Sequence, residues 1–126
     1  MPLAKTFEEL GIWQSARSQV KAVYSAFRPG NPGSRDYGFR DQIQRAGLSV
    51  MNNIAEGFER RTDADFLRFL DISKGSCGEV RSMLYVAEDL GYVAADAAAC
   101  LREAAVRLSK GIGAFSRRIQ DRIHST

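Results

Sequence analysis

The stretch FRDQIQRAGLSVMNNIAEGF, residues 39–58, decides the fold. Phe39, Ile43, Ala46, Gly47, Val50 and Ile54 recur every three or four residues, the period of an α-helix with one face on a core. Leu48, Met51, Ala55 and Phe58 fall on a second line at i, i+3, i+7 and i+10, so the helix has two apolar sides. One side serves its own bundle. In a lone chain the other faces water, and an exposed stripe of this size marks a partner or a second copy, for which closed symmetry is the default. Gly57 reads as a left-handed cap that ends the helix. Asn52, Asn53 and Glu56 form a polar cluster in the same helix. Asn53 turns toward the core, where an amide must be hydrogen-bonded, so it reads as a structural tie between helices.

The same period extends outward in both directions, and no segment alternates as a strand would. The class is all-α: an antiparallel up-down four-helix bundle in a single domain, 1–126, with helices over 8–27, 39–57, 63–90 and 94–124. The first carries Phe7, Leu10, Trp13, Val20, Val23, Tyr24 and Phe27, and stops at the pairs Pro29-Gly30 and Pro32-Gly33. Thr62 caps the third, with Asp63 and Asp65 in its first turn where the helix dipole favours negative charge. Phe66, Phe69, Leu70, Ser73, Cys77, Val80, Leu84 and Ala87 form its core face, and Gly91 ends it. The fourth runs a seam from Ala97 through Leu101, Ala104, Leu108, Ile112, Phe115 and Ile119 to Ile123. Gly47, Gly75, Gly78, Gly111 and Gly113 each cost a helix about 1 kcal/mol relative to alanine. Close approach of crossing helices is the economical use for them; a kink at Gly111–Gly113 is the competing one.

Composition excludes several classes. Hydrophobic residues at 44% and charged residues at 26% suit a folded domain rather than a disordered one. There is no apolar run long enough to span a membrane, and residues 1–10 do not resemble a secretory or transit signal. Cys77 and Cys100 stand in no metal or redox spacing, which fits small buried hydrophobes in a reducing cytoplasm. The only histidine, His124, is close to the C-terminal end of the chain, and neither zinc spacings nor the Glu-x-x-His pairs of di-metal bundles occur. No catalytic residue, metal site or cofactor is therefore expected. Glu56 with Glu59, or Asp63 with Asp65, read as solvated faces and caps rather than acid–base pairs.

The net charge is +3, and arginine, whose planar fork suits phosphate and carboxylate, supplies most of the basic residues. Arg60 and Arg61 sit after the second helix and Arg68 lies early in the third; Arg107, Lys110 and Arg117 share one side of the fourth, with Arg118 and Arg122 adjoining. A helix so lined can follow a phosphate backbone. The plainer reading is a charged, solvated surface, interrupted here by Glu103 and Asp121. Aromatic residues are not interleaved with these arginines, so base stacking is not predicted.

Several stretches in order resemble one family: Phe7-Glu8-Glu9-Leu10 with Trp13-Gln14, Gln42-Ile43 with Arg45-Ala46, Asn53-Ile54-Ala55-Glu56-Gly57, Phe66 through Phe69-Leu70, and Lys74-Gly75-Ser76 with Glu79. It is the bacterial four-helix-bundle family encoded in intervening sequences of 23S ribosomal RNA genes, related to Avd, the accessory protein of diversity-generating retroelements. The resemblance covers nearly the whole chain; the long proline-rich segment from Arg28 to Gly38, and Gly78 and Val80, depart from the pattern. It implies a homopentamer of four-helix bundles. For the Avd-like relatives it further implies a basic outer surface that engages RNA or DNA and a partner reverse transcriptase. The function expected is thus a non-enzymatic oligomeric scaffold binding nucleic acid, with a protein-interaction adaptor as the alternative.

Overall fold

A computed structural model describes residues 3–125. After a short 3-10 turn, Phe7–Glu9, come α1 (Gly11–Ala26), α2 (Tyr37–Phe58), α3 (Asp63–Asp89) and α4 (Ala95–His124). Each helix packs on its neighbour in sequence, and α1 closes the square against α4. The four form an all-α bundle, with no strand among the described residues.

The helix boundaries follow local chemistry. Leu10, in extended conformation, separates the 3-10 turn from α1, so the helix expected from residue 8 begins at Gly11. Ahead of it Thr6 and Glu9 form a capping box, with the Glu9 carboxylate accepting from Thr6 N at 3.0 Å. Asp36 starts α2 two residues earlier than Phe39: its carboxylate accepts from the Phe39 amide at 3.2 Å and from the Tyr92 hydroxyl at 2.7 Å. Both bonds hold the carboxyl of Asp36 below its ordinary range, the Tyr92 bond most, and the same contact raises the phenol of Tyr92. Thr62 caps α3 as expected, accepting from Asp65 N at 3.1 Å. Gly91, with φ +73°, ends that helix in the left-handed region.

Gly57 does not cap α2. The helix continues through it to Phe58, and its φ is not positive. A Cβ placed there would stand 2.8 Å from Phe66 Cδ1 and 2.8 Å from Phe69 Cβ, so the missing side chain lets α2 and α3 meet where they turn back on each other. Gly33 fills the same need against Phe27 and Tyr92 at the other end. The five mid-helix glycines behave otherwise: Gly75 and Gly78 face open space, Gly47 has only Val20 at 3.8 Å, and Gly111 only Ile12 at 3.4 Å. Close helix crossing is not their explanation, and α4 runs unbroken through Gly111–Gly113.

The core has two parts. Leu10, Val50, Ile54, Phe66, Leu70, Ile112, Phe115 and Ile119 fill one half, and Val23, Phe27, Ile43, Val80, Leu84 and Val93 the other. On α4 the seam passes through Ala98 and Ala105; Ala97 and Ile123 are exposed, as is Tyr24 on α1. Ser73 Oγ donates to the Val50 carbonyl at 2.7 Å, joining α3 to α2 inside the core. Cys77 is buried, and desolvation raises its thiol above the ordinary value, while Cys100 is exposed, contrary to its reading as a core residue.

Candidate functional site

Two sets of residues were singled out by sequence: the second side of α2 and the cations. On α2, Leu48, Met51, Ala55 and Phe58 are all half-buried rather than open to water. The cover comes from the chain itself: the 3-10 turn lies on α2, Met51 and Phe58 pack against the first core cluster, and Phe58 meets the Phe66 ring edge-on at 6.0 Å between centroids. Sequence periodicity missed this because it takes no account of a segment folding back from before the first helix. Asn53 is half-buried and donates to Ser49 O at 2.8 Å and Ser49 Oγ at 3.0 Å; Ser49 Oγ lies 2.7 Å from Ser76 Oγ of α3. The amide thus anchors a hydroxyl pair that ties α2 to α3. Asn52 and Glu56 are exposed, and Glu56 pairs with Arg60 at 2.8 Å.

The cations divide by partner. Arg122 grips Asp63 with two hydrogen bonds, 2.9 Å and 2.6 Å, pinning the end of α4 to the start of α3. The guanidinium holds the Asp63 carboxyl below its usual range. Arg60 and Arg68 pair with Glu56 and Asp65, and both guanidiniums lie over the Phe69 ring, at 4.6 and 4.7 Å. Arg61, Arg107, Lys110, Arg117 and Arg118 are exposed and form no ion pair among the described residues. Arg118 also lies 5.9 Å from the Phe115 ring centroid.

Sequence reading passed over Lys74, Arg81, Tyr85 and Arg102, which the fold brings to Arg107 and Arg117. Lys74 of α3 and Arg117 of α4 converge on Gly113: Lys74 Nζ is 3.5 Å, and Arg117 Nη1 3.7 Å, from where a Cβ would be. Farther along the same pair of helices, Arg81, Arg102 and Arg107 line one open groove with the exposed Tyr85. Arg102 stacks over that ring at 4.3 Å and pairs with Glu88 at 2.8 Å. An aromatic residue is therefore interleaved with arginines after all, but across two helices, where spacing along one does not reveal it. Among the described residues no group of three or more His, Cys, Asp or Glu side chains is placed to hold a metal ion, and no helix is long and apolar enough to cross a membrane.

Residues 8–114 match the family described as 23S rRNA-intervening sequence protein. The chain belongs to that family. In architecture it is similar to a crystal structure of a protein of unknown function from the S23 ribosomal protein family of Bacteroides thetaiotaomicron, with a TM-score of 0.77 and 16% identity over 83% of this chain and 97% of that one. At that identity the likeness establishes the family's fold. No curated protein matches the chain.

Proposed function

We propose that this family member is a non-enzymatic, oligomeric cytoplasmic scaffold that holds the backbone of RNA or DNA on its basic outer surface. The observation that carries the reading is the set Arg61, Arg107, Lys110, Arg117 and Arg118, exposed and without a carboxylate partner among the described residues. Unpaired guanidiniums keep their forks available to phosphate, whereas Arg122 is committed to Asp63. The family's name links its members to intervening sequences of 23S rRNA, which supports RNA as the anion. Self-association rests on the family resemblance, which suggests a homopentamer; repetition around a ring would multiply weak phosphate contacts.

Fluorescence anisotropy with labelled RNA and DNA tests the reading. If five cations engage phosphates, log affinity should fall against log salt with a slope of roughly −4 to −5 for duplex. Replacing Arg107, Lys110, Arg117 and Arg118 by alanine together should remove most of that slope. Absence of affinity at low salt for every nucleic acid tried would overturn it, and a monomeric molar mass in solution would remove the scaffold part. A protein-adaptor reading has its own support in Ile72 and Val86 of α3 and Leu90 at its C-cap, each more than 40% exposed. A stoichiometric protein partner that survives nuclease treatment would favour it.

A further inference from the structure

Four cations without an ion pair among the described residues, Lys74, Arg81, Arg107 and Arg117, lie along the groove between α3 and α4. It has two cationic stations. At the first, Lys74 and Arg117 reach over Gly113 from opposite helices, and no other heavy atom outside the local backbone comes within 4 Å of the missing Cβ. Gly113 weakens α4 relative to alanine, and packing inside the bundle does not require it. With no side chain at Gly113, the two positive charges come together over bare α4 backbone. At the second station Arg81 and Arg107 line, together with Tyr85 and Arg102, an open groove of about 570 Å³. Neither Arg81 nor Arg107 has a carboxylate partner among the described residues, although Glu103 stands at the groove's edge.

We propose that the α3–α4 groove binds single-stranded nucleic acid, with phosphates at the two stations and an unpaired base stacked at Tyr85. The inference rests on the nucleic-acid reading above and narrows it to one strand and one groove. Lys74 and Arg81 are seven residues apart on α3, about 10 Å along the axis. That distance is roughly three nucleotides at a stacked rise of 3.4 Å. Tyr85 is 56% exposed, and its orientation is held by Arg102, itself fixed by Glu88. A ring or guanidinium plane so presented receives the face of a base, and a duplex hides its base faces everywhere but at its ends. A positively charged groove combined with a stacking platform is the usual arrangement for binding single strands.

The test compares a fluorescein-labelled oligouridylate, an oligothymidylate and a blunt-ended duplex of equal length on the full chain, with thermal melts to confirm each variant's fold. Wild type should prefer either single strand to the duplex. Gly113→Leu leaves every charge in place and puts a side chain between Lys74 and Arg117; single-strand affinity should fall about tenfold while duplex binding elsewhere on the surface is unchanged. Tyr85→Leu should weaken single-strand binding roughly 5- to 100-fold, Tyr85→Phe should bind as wild type, and Glu103→Gln should bind more tightly. Equal affinity for duplex and single strand, or wild-type binding by both Gly113→Leu and Tyr85→Leu, overturns the groove and leaves the general scaffold standing. No binding of any probe by wild type overturns both.

Discussion

Replacing Gly57 by alanine separates two opposing effects whose sizes follow from the structure. In a helix interior the exchange stabilises by up to about 1 kcal/mol, because glycine has more backbone freedom to lose on folding. Here the new methyl would stand 2.8 Å from Phe66 Cδ1 and 2.8 Å from Phe69 Cβ. The second atom is attached directly to the α3 backbone, so no rotamer change relieves the clash and the helices must separate. Overpacking of that kind costs about 1–3 kcal/mol, and separation would also loosen the Phe58–Phe66 contact. The net expectation is a destabilisation of about 1–2 kcal/mol, or about 3–8 °C in Tm for a domain of this size. Gly75→Ala is the matched control: its Cβ would meet nothing within 4 Å, so only the favourable effect remains and Tm should rise by a few degrees. Differential scanning calorimetry on both variants checks the pair. If Gly57→Ala is as stabilising as Gly75→Ala, the tight crossing of α2 and α3 at Gly57 is wrong.

Asp63 has a depressed pKa in the folded chain, so the unfolded chain binds the proton first as pH falls, and the Arg122 pair contributes fully above the ordinary aspartate value of 3.8. The Tm gap between wild type and Asp63→Asn should therefore be present at neutral pH and close below about pH 4; a gap independent of pH would refute the pairing. Arg122→Ala should lower stability by about 1 kcal/mol, read from urea midpoints, since the pair is bidentate but a third exposed. Leu84→Ala, at a fully buried core position, should cost about 2–5 kcal/mol in the same assay. A thiol reagent should modify Cys100 in the native protein and reach Cys77 only on unfolding, a difference that mass spectrometry of labelled peptides would resolve.

The helices and their inward faces were legible in the sequence because a 3.6-residue period is a property of one segment at a time. Val50, Ile54, Leu70, Leu84, Ile112 and Ile119 all lie where the period puts them. The cap at Thr62 and the stop at Gly91 are likewise local, set by a hydroxyl within reach of an amide and by a backbone angle that glycine adopts easily. The errors share a different cause. Whether Gly57 caps a helix or admits a neighbour depends on Phe66 and Phe69, which lie across a turn. The second side of α2 is half-covered by a segment more than 30 residues earlier, and Arg122 is held by an aspartate 59 positions away. The cationic groove depends on Lys74 meeting Arg117 and on Tyr85 lying beneath Arg102, contacts between helices that no single period encodes. Sequence alone determined which residues form helices and which sides turn inward, since both arise from local backbone geometry and burial. Tertiary structure decided which charges are neutralised, which glycines are needed and where the basic surface becomes a groove, because each of those depends on what another helix brings within a few ångströms.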